Sequence, residues 1–238
     1  RIIAWLSCHN LTYEEGNQSY KKNFNRIIKK QTNHLINEIN KSNSVDDKLI
    51  GSASVILAGL CYKNDKKYLY YGNVLLKKII KSTLDNNGFP KSRSIKQLIF
   101  YLKYFILIRE WYKESQINVP EYIDEAIFYL GHGYAFFWQN TNCDFLFNGN
   151  NNSNNFEFDN YLKRLNYKFK NEDIECAGYT VFQNKKICLI MDAGSSPDFK
   201  YTKDYQSGAL SFEIISSGKK LISNSGYFAN KQNKLNKL

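Results

Sequence analysis

His132 stands between two glycines in Gly131-His132-Gly133-Tyr134, with Trp138 one helical turn beyond the tyrosine. An imidazole gives or takes a proton near neutrality, a phenol can act as an acid, and an indole offers a flat face for a ring to stack on. The bare backbone of the glycines exposes the imidazole, and equally suits a histidine that caps a helix end. Arg93, one of only five arginines, follows Asn87-Gly88-Phe89-Pro90-Lys91-Ser92. Its forked guanidinium suits a carboxylate clamp, a structural ion pair or a solvated turn. Gln206 offers an amide that can hydrogen-bond a carboxylate but cannot accept a proton at neutral pH, or is simply a surface-loop residue. Tyr205, Tyr134 and Trp138 sit beside chain breakers, which sets them apart from the aromatics at helical spacing between Tyr68 and Tyr112.

Other candidates read first as structural. Asp192 precedes Gly194 at a strand end, and Glu213 lies within a strand, both positions where a carboxylate joins neighbouring segments. His34 falls on an apolar-periodic helix, and His9 on an N-terminal segment beside Trp5. The five cysteines (Cys8, Cys61, Cys143, Cys176, Cys188) form no CxxC pair and mostly have apolar or aromatic neighbours, so they read as buried free thiols rather than disulfides or a metal site.

These residues need a scaffold, and 238 residues with 43% hydrophobic content are enough for one large or two smaller domains. The net charge of +11 favours an anionic partner: nucleic acid, a membrane surface or an acidic polysaccharide. The cations are nearly all lysine and spread along the chain, whereas a nucleic-acid reader would concentrate them on one element. No membrane span is expected: the longest apolar stretch, Leu98 to Ile108, has 11 residues with Lys103 inside it, against about 20 for a span. The chain starts at Arg1, and its only methionine is Met191, so both natural ends are expected to lie beyond it.

Apolar residues recur at helical spacing in five stretches: Phe24 to Ile39, Leu49 to Leu60, Leu69 to Ile80, Ile95 to Ile106, and Ile123 to Leu130 after Pro120. Breakers separate them, notably 42–47, 63–65, 86–90 and 118–120. This predicts an array of helix hairpins. After Trp138 the period changes, and the Asn-rich run 148–155 reads as a loop. Tyr179 to Phe182 with Ile187 to Met191 reads as a β-hairpin, and Leu210 to Ile215 with Lys220 to Ser223 as a second. Leu210, Phe212 and Ile214 should share one face, and Ser211, Glu213 and Ile215 the other. The seam predicts a helical domain over 1–140 and a β domain over 141–238.

The second hairpin carries a resemblance. Asp192-Ala193-Gly194, Ser211-Phe212-Glu213 and Asn224-Ser225-Gly226 stand in order within Leu189 to Phe228, and this stretch resembles the start of the β-sheet domain of the heparinase II/III-like family. Asn87 to Arg93 is similar to an inter-helix turn of bacterial members. The resemblance implies an α+β multidomain fold, an α/α-toroid followed by an antiparallel β-sandwich, truncated here. It implies a lyase that cleaves uronic-acid-containing polysaccharide by β-elimination in the periplasm or cell envelope, with no cofactor.

That chemistry needs a neutralised uronate carboxylate, a base for the carbon-5 proton and an acid for the leaving oxygen. The family's Asn-His pair falls on Asp47 and Lys48, its tyrosine near Gln97 and its β-domain histidine on Gln206. The expected substitutes are His132 and Tyr134 as catalytic residues, with Arg93, Gln206, Trp138 and Tyr205 binding an acidic polysaccharide. A non-catalytic carbohydrate-binding or envelope scaffold protein of the same fold is the competing expectation.

Overall fold

The computed structural model describes residues 1–63, 65–138, 143, 145–148, 156–202, 205, 208 and 210–225. Among the described residues, seven α-helices precede the sheet: α1 Ile2–Ser7, α2 Gln18–Glu38, α3 Val45–Cys61, α4 Lys66–Thr83, α5 Ile95–Glu114, α6 Glu121–Trp138 and α7 Phe156–Arg164. The strands are β1 Glu175–Cys176, β2 Tyr179–Gln183, β3 Ile187–Asp192, β4 Phe212–Ser216 and β5 Lys219–Ile222. The fold is therefore α+β, with helices first and an antiparallel sheet of order β1-β2-β3-β4-β5 after them. The chain divides into two compact units, residues 1–83 with 104–126, and residues 84–103 with 127–238.

In the first unit, α3 is the central helix. Ser44 caps it by accepting from the Asp47 N–H at 3.2 Å, and Asp46 and Asp47 place negative charge in its first turn. Leu49, Val55, Ile56 and Leu60 are buried, each contributing about 1.5–3 kcal/mol. Small residues let α4 approach closely: Ser52 Oγ donates to Gly72 O at 2.9 Å, and a Cβ on Gly59 would lie 2.5 Å from Leu69 N. Asn73 then ties α4 to Tyr112 and Tyr122, accepting from both phenols through Oδ1. Among the described residues no helix is long and apolar enough to cross a membrane.

The second unit begins with the turn 84–94. Asp85 Oδ1 accepts from the N–H groups of Asn87 and Phe89, both at 2.9 Å, and Gly88 has φ +72°. This is the breaker cluster expected between two helices. A side chain at Gly88 would also meet Tyr129 Cβ at 2.3 Å, so a close approach as well as the positive φ requires glycine. The turn delivers Phe89 into an aromatic core with Phe137, Phe145, Phe147 and Tyr179.

Sheet register follows from alternation and tight turns. Ala177-Gly178 joins β1 to β2 and Ser217-Gly218 joins β4 to β5, and all four residues have positive φ, as two-residue hairpins favour. On β4, Glu213 and Ile215 point inward, while Phe212 is exposed. The expected alternation holds over Phe212 to Ile215, but Leu210, with φ +61°, lies before the strand. The helix α7 stands where only strands were expected after the Asn-rich run. Phe158 and Leu162, one turn apart, bury its apolar side.

Candidate functional site

Two polar centres lie in the second unit. The first is buried and built on Arg93. Its Nε donates to Ala177 O at 3.0 Å, its Nη1 to Ser195 O at 2.9 Å, and its Nη2 to Asp192 Oδ1 at 2.5 Å. Arg93 is 8% exposed and Asp192 0%. Asn148 Nδ2 donates to Asp192 Oδ2 at 3.1 Å, and the Tyr179 hydroxyl donates to Arg93 O at 2.8 Å. The guanidinium carbon lies 4.8 Å from the Tyr179 ring centre. Burial pushes the Tyr179 phenol far above its usual range, so it remains a donor at neutral pH.

Glycine makes this centre possible. A Cβ on Gly194 would stand 2.6 Å from Arg93 Nη2, and one on Gly178 would stand 2.6 Å from Gly194 Cα. Thus Asp192-x-Gly194 supplies the carboxylate and the space for its partner. All three nitrogens of Arg93 already have acceptors within the protein, the ion-pair alternative for this residue. Arg93 nonetheless borders a cavity of 550 Å³ with Lys91, Glu175, Ser196, Asp198 and Tyr201. Ser196 Oγ donates to the Tyr205 hydroxyl at 3.1 Å, which places a second expected binding residue beside that cavity's wall. Gln206 lies outside the described residues.

The second centre is His132, on α6. Asn171 Nδ2 lies 3.0 Å from His132 Nδ1 and donates to His132 O at 3.1 Å, while Asn171 Oδ1 accepts from Asp173 N–H at 2.7 Å. His132 Nε2 is 3.6 Å from Asp173 Oδ2, and Phe128 stacks on the ring with a centre separation of 6.5 Å and an angle of 15°. The flanking glycines explain the approach. A Cβ on Gly131 would lie 2.2 Å from the Phe169 ring, and one on Gly133 would lie 3.1 Å from Phe89. His132 is therefore within the helix rather than at its end, and the Gly131-His132-Gly133 sequence lets the segment 169–173 lie against it.

Asn171 and Asp173 also line a 580 Å³ cavity with Glu172, Phe136, Phe182 and Gln183. Tyr134 is buried and stacks on the partly exposed Trp138, with centres 6.0 Å apart at 18°. The structure thus brings His132 to Asn171 and Asp173, and Tyr134 to Trp138, while Arg93 bonds to a separate set, Ala177, Asp192 and Ser195. Asn171, Asp173 and Asn148 escaped the reading of the sequence. Only an Asn-x-Asp turn pattern at 171–173 hints at the first two.

A third node is structural. Glu213 Oε1 accepts from Leu146 N–H at 3.1 Å and Asn224 N–H at 3.0 Å, while Oε2 pairs with Lys220 Nζ at 2.9 Å. Of the positions where the resemblance puts family residues, Asp47 and Lys48 lie in the first turn of α3 and Gln97 in that of α5, where Gln97 Oε1 accepts from Ser92 Oγ at 2.6 Å. Among the described residues no cluster of three or more metal-ligating side chains occurs.

Such a chain, helices leading into an antiparallel sheet anchored by an Asp-x-Gly turn, has known counterparts. A family model described as heparinase II/III-like, C-terminal, matches residues 170–237. That match takes in Leu189 to Phe228, the stretch whose motifs carry the resemblance. Among solved structures, heparan sulfate lyase HepC from Pedobacter heparinus superimposes with a TM-score of 0.75 at 13% identity, over 99% of this chain and 41% of that one. Heparinase III gives 0.71 at 15% identity, over 95% and 41%. A heparinase III with methylated lysines gives 0.76 at 15% identity, over 97% and 40%. The chain thus spans about two fifths of the length of these structures. No curated protein matches it in sequence.

Proposed function

We propose that the protein is a polysaccharide lyase that cleaves a uronic-acid-containing polysaccharide by β-elimination. The observation that carries this reading is the family match over 170–237, on a chain whose fold follows that of heparan sulfate lyases over nearly its whole length. The net charge of +11 supports a polyanionic substrate, which such a field concentrates at the surface. The cell envelope is the proposed place of action, because acidic polysaccharides are met there.

In the reaction a base removes the proton from carbon 5 of the uronate. The electron pair forms the bond between carbons 4 and 5, the carbon 4–oxygen bond breaks, and the leaving oxygen takes up a proton. His132 is proposed to touch the substrate in this reaction, since its neighbours Asn171 and Asp173 line a cavity. Tyr134 supports the aromatic face of Trp138, and Tyr205 and Gln206 are proposed binding residues. Arg93 contributes by holding Asp192 and the Ser195 loop in place.

The test is to incubate the full-length protein with heparan sulfate, alginate and glucuronan and to follow the ultraviolet absorbance of the unsaturated product. Turnover of at least one polymer, reduced in His132→Ala, is expected. Silence on all three would reject the lyase reading in favour of a carbohydrate-binding protein of the same fold. Undiminished turnover in His132→Ala would remove that residue from the site.

A further inference from the structure

The hydrogen bonds of Asn171 settle a question that imidazole coordinates alone leave open. An amide's oxygen and nitrogen are told apart by their partners, and here two of those partners are backbone groups of fixed character. The Asp173 N–H can only donate, so the atom 2.7 Å from it is the oxygen of Asn171. The His132 carbonyl can only accept, so the atom 3.1 Å from it is the nitrogen. That same nitrogen lies 3.0 Å from His132 Nδ1. An NH₂ group has no acceptor to offer, so Nδ1 must receive its hydrogen bond with a lone pair, and the ring's hydrogen resides on Nε2. Turning the amide over would set oxygen against carbonyl oxygen and N–H against N–H. Asn171 is 5% exposed, so water could not repair those losses cheaply.

We infer that Asn171 is a positioning residue that holds neutral His132 as its Nε2–H tautomer, so that the ring offers a hydrogen-bond donor, not a base, to a ligand. The role in catalysis rests on the lyase reading proposed above, but the tautomer does not. Nε2 lies 3.6 Å from Asp173 Oδ2, too far for a good hydrogen bond, which leaves its N–H for an incoming oxygen. The nature of that oxygen follows from the surroundings. Glu172 and Asp173 line the adjoining cavity, and two carboxylates repel a third. The N–H therefore suits a hydroxyl or glycosidic oxygen of an uncharged sugar residue, while the uronate carboxylate is bound elsewhere. A neutral N–H aimed at such an oxygen stabilises the charge that develops on it as the bond to carbon 4 breaks. Removing the carbon-5 proton falls to a different group.

The test is nitrogen-15 NMR of the full-length protein labelled at histidine, at a pH where imidazole is neutral. The other two histidines, His9 and His34, serve as internal references. For His132 the Nε2–H form should exceed the Nδ1–H form by at least about tenfold. Asn171→Asp replaces the donor with an acceptor and should invert that ratio, and Asn171→Ala should leave a mixture. A wild-type His132 in the Nδ1–H form, or a mixture, overturns the inference without recourse to any variant. An Asn171→Asp protein that is folded but keeps the wild-type ratio does so too. In the turnover assay, Asn171→Asp should lower kcat more than it raises KM. If no polymer is cleaved while the tautomer is as stated, the lyase reading fails and the tautomer assignment stands.

Discussion

Replacing Arg93 by alanine should unfold the sheet unit more readily than any other single change near the Asp192 turn. The substitution leaves the wholly buried Asp192 carboxylate with the Asn148 amide but no cation, and it strips donors from the Ala177 and Ser195 carbonyls. Removing one partner of a buried ion pair costs about 3–5 kcal/mol. The two stranded carbonyls can reach water through the adjoining 550 Å³ cavity, so they add little and the pair dominates. For a chain of this size each kcal/mol shifts Tm by about 2–4 °C, which gives a drop of roughly 6–20 °C. Arg93→Lys should recover only part, because an ammonium cannot reach three acceptors in the directions that the planar fork reaches them. Urea unfolding followed by tyrosine and tryptophan fluorescence, with hydrogen exchange of the β2 and β3 amides, measures the effect and its location. A loss below about 1 kcal/mol for Arg93→Ala would refute the reasoning, because it would mean that the pair is not desolvated in solution.

Gly131→Ala should destabilise by about 1–3 kcal/mol, because its methyl group would overlap the Phe169 ring, and should blur the His132 tautomer ratio by pushing the 169–173 segment away; urea unfolding and histidine NMR check both. Glu213→Ala should leave the Leu146 and Asn224 N–H groups without their acceptor and Lys220 without its partner, and cost about 3 kcal/mol, with hydrogen exchange rising first at Leu146. Burial, with Asp173 and Asp85 nearby, pushes the Cys176 thiol up to about 12. Its folded value lies above the unfolded value near 8.5, so its share of stability is full below that pH and is lost as pH rises toward 12. Urea midpoints should therefore fall less steeply over that range in Cys176→Ser, and Cys176 should alkylate more slowly than the exposed Cys8 at neutral pH.

Five of the helices were legible because large apolar residues recur in each at a 3.6-residue period, even in α3, which is buried on every side over residues 51–60, and breakers such as Asp85 to Pro90 stop them. The hairpins were legible because their turns are short and their strands alternate. Helix α7 was not, since among its described side chains only Phe158 and Leu162 are buried, in a nine-residue helix that follows the Asn-rich run. Nor was β1, which is two residues long and is joined to β2 by Ala177 in a positive-φ conformation that alanine does not advertise. At the site, the glycines around His132 marked a close approach but not its partner. Asn171 lies 39 positions away in a segment without periodicity, and only the folded chain brings the two together. Likewise Arg93 was legible as a candidate clamp, but its partner Asp192 is 99 positions distant, so the choice between substrate and ion pair belonged to tertiary structure.

The most direct test of the central claim is where the oxygen of the new chain end comes from. The full-length protein is incubated with the polymer it turns over, in water enriched in oxygen-18, and the products are weighed by mass spectrometry. β-Elimination predicts fragments that carry no solvent oxygen and an unsaturated uronate at the new non-reducing end, lighter by one water than a hydrolysis product. Incorporation of one labelled oxygen at each cleavage, with saturated ends, would show hydrolysis and contradict the account.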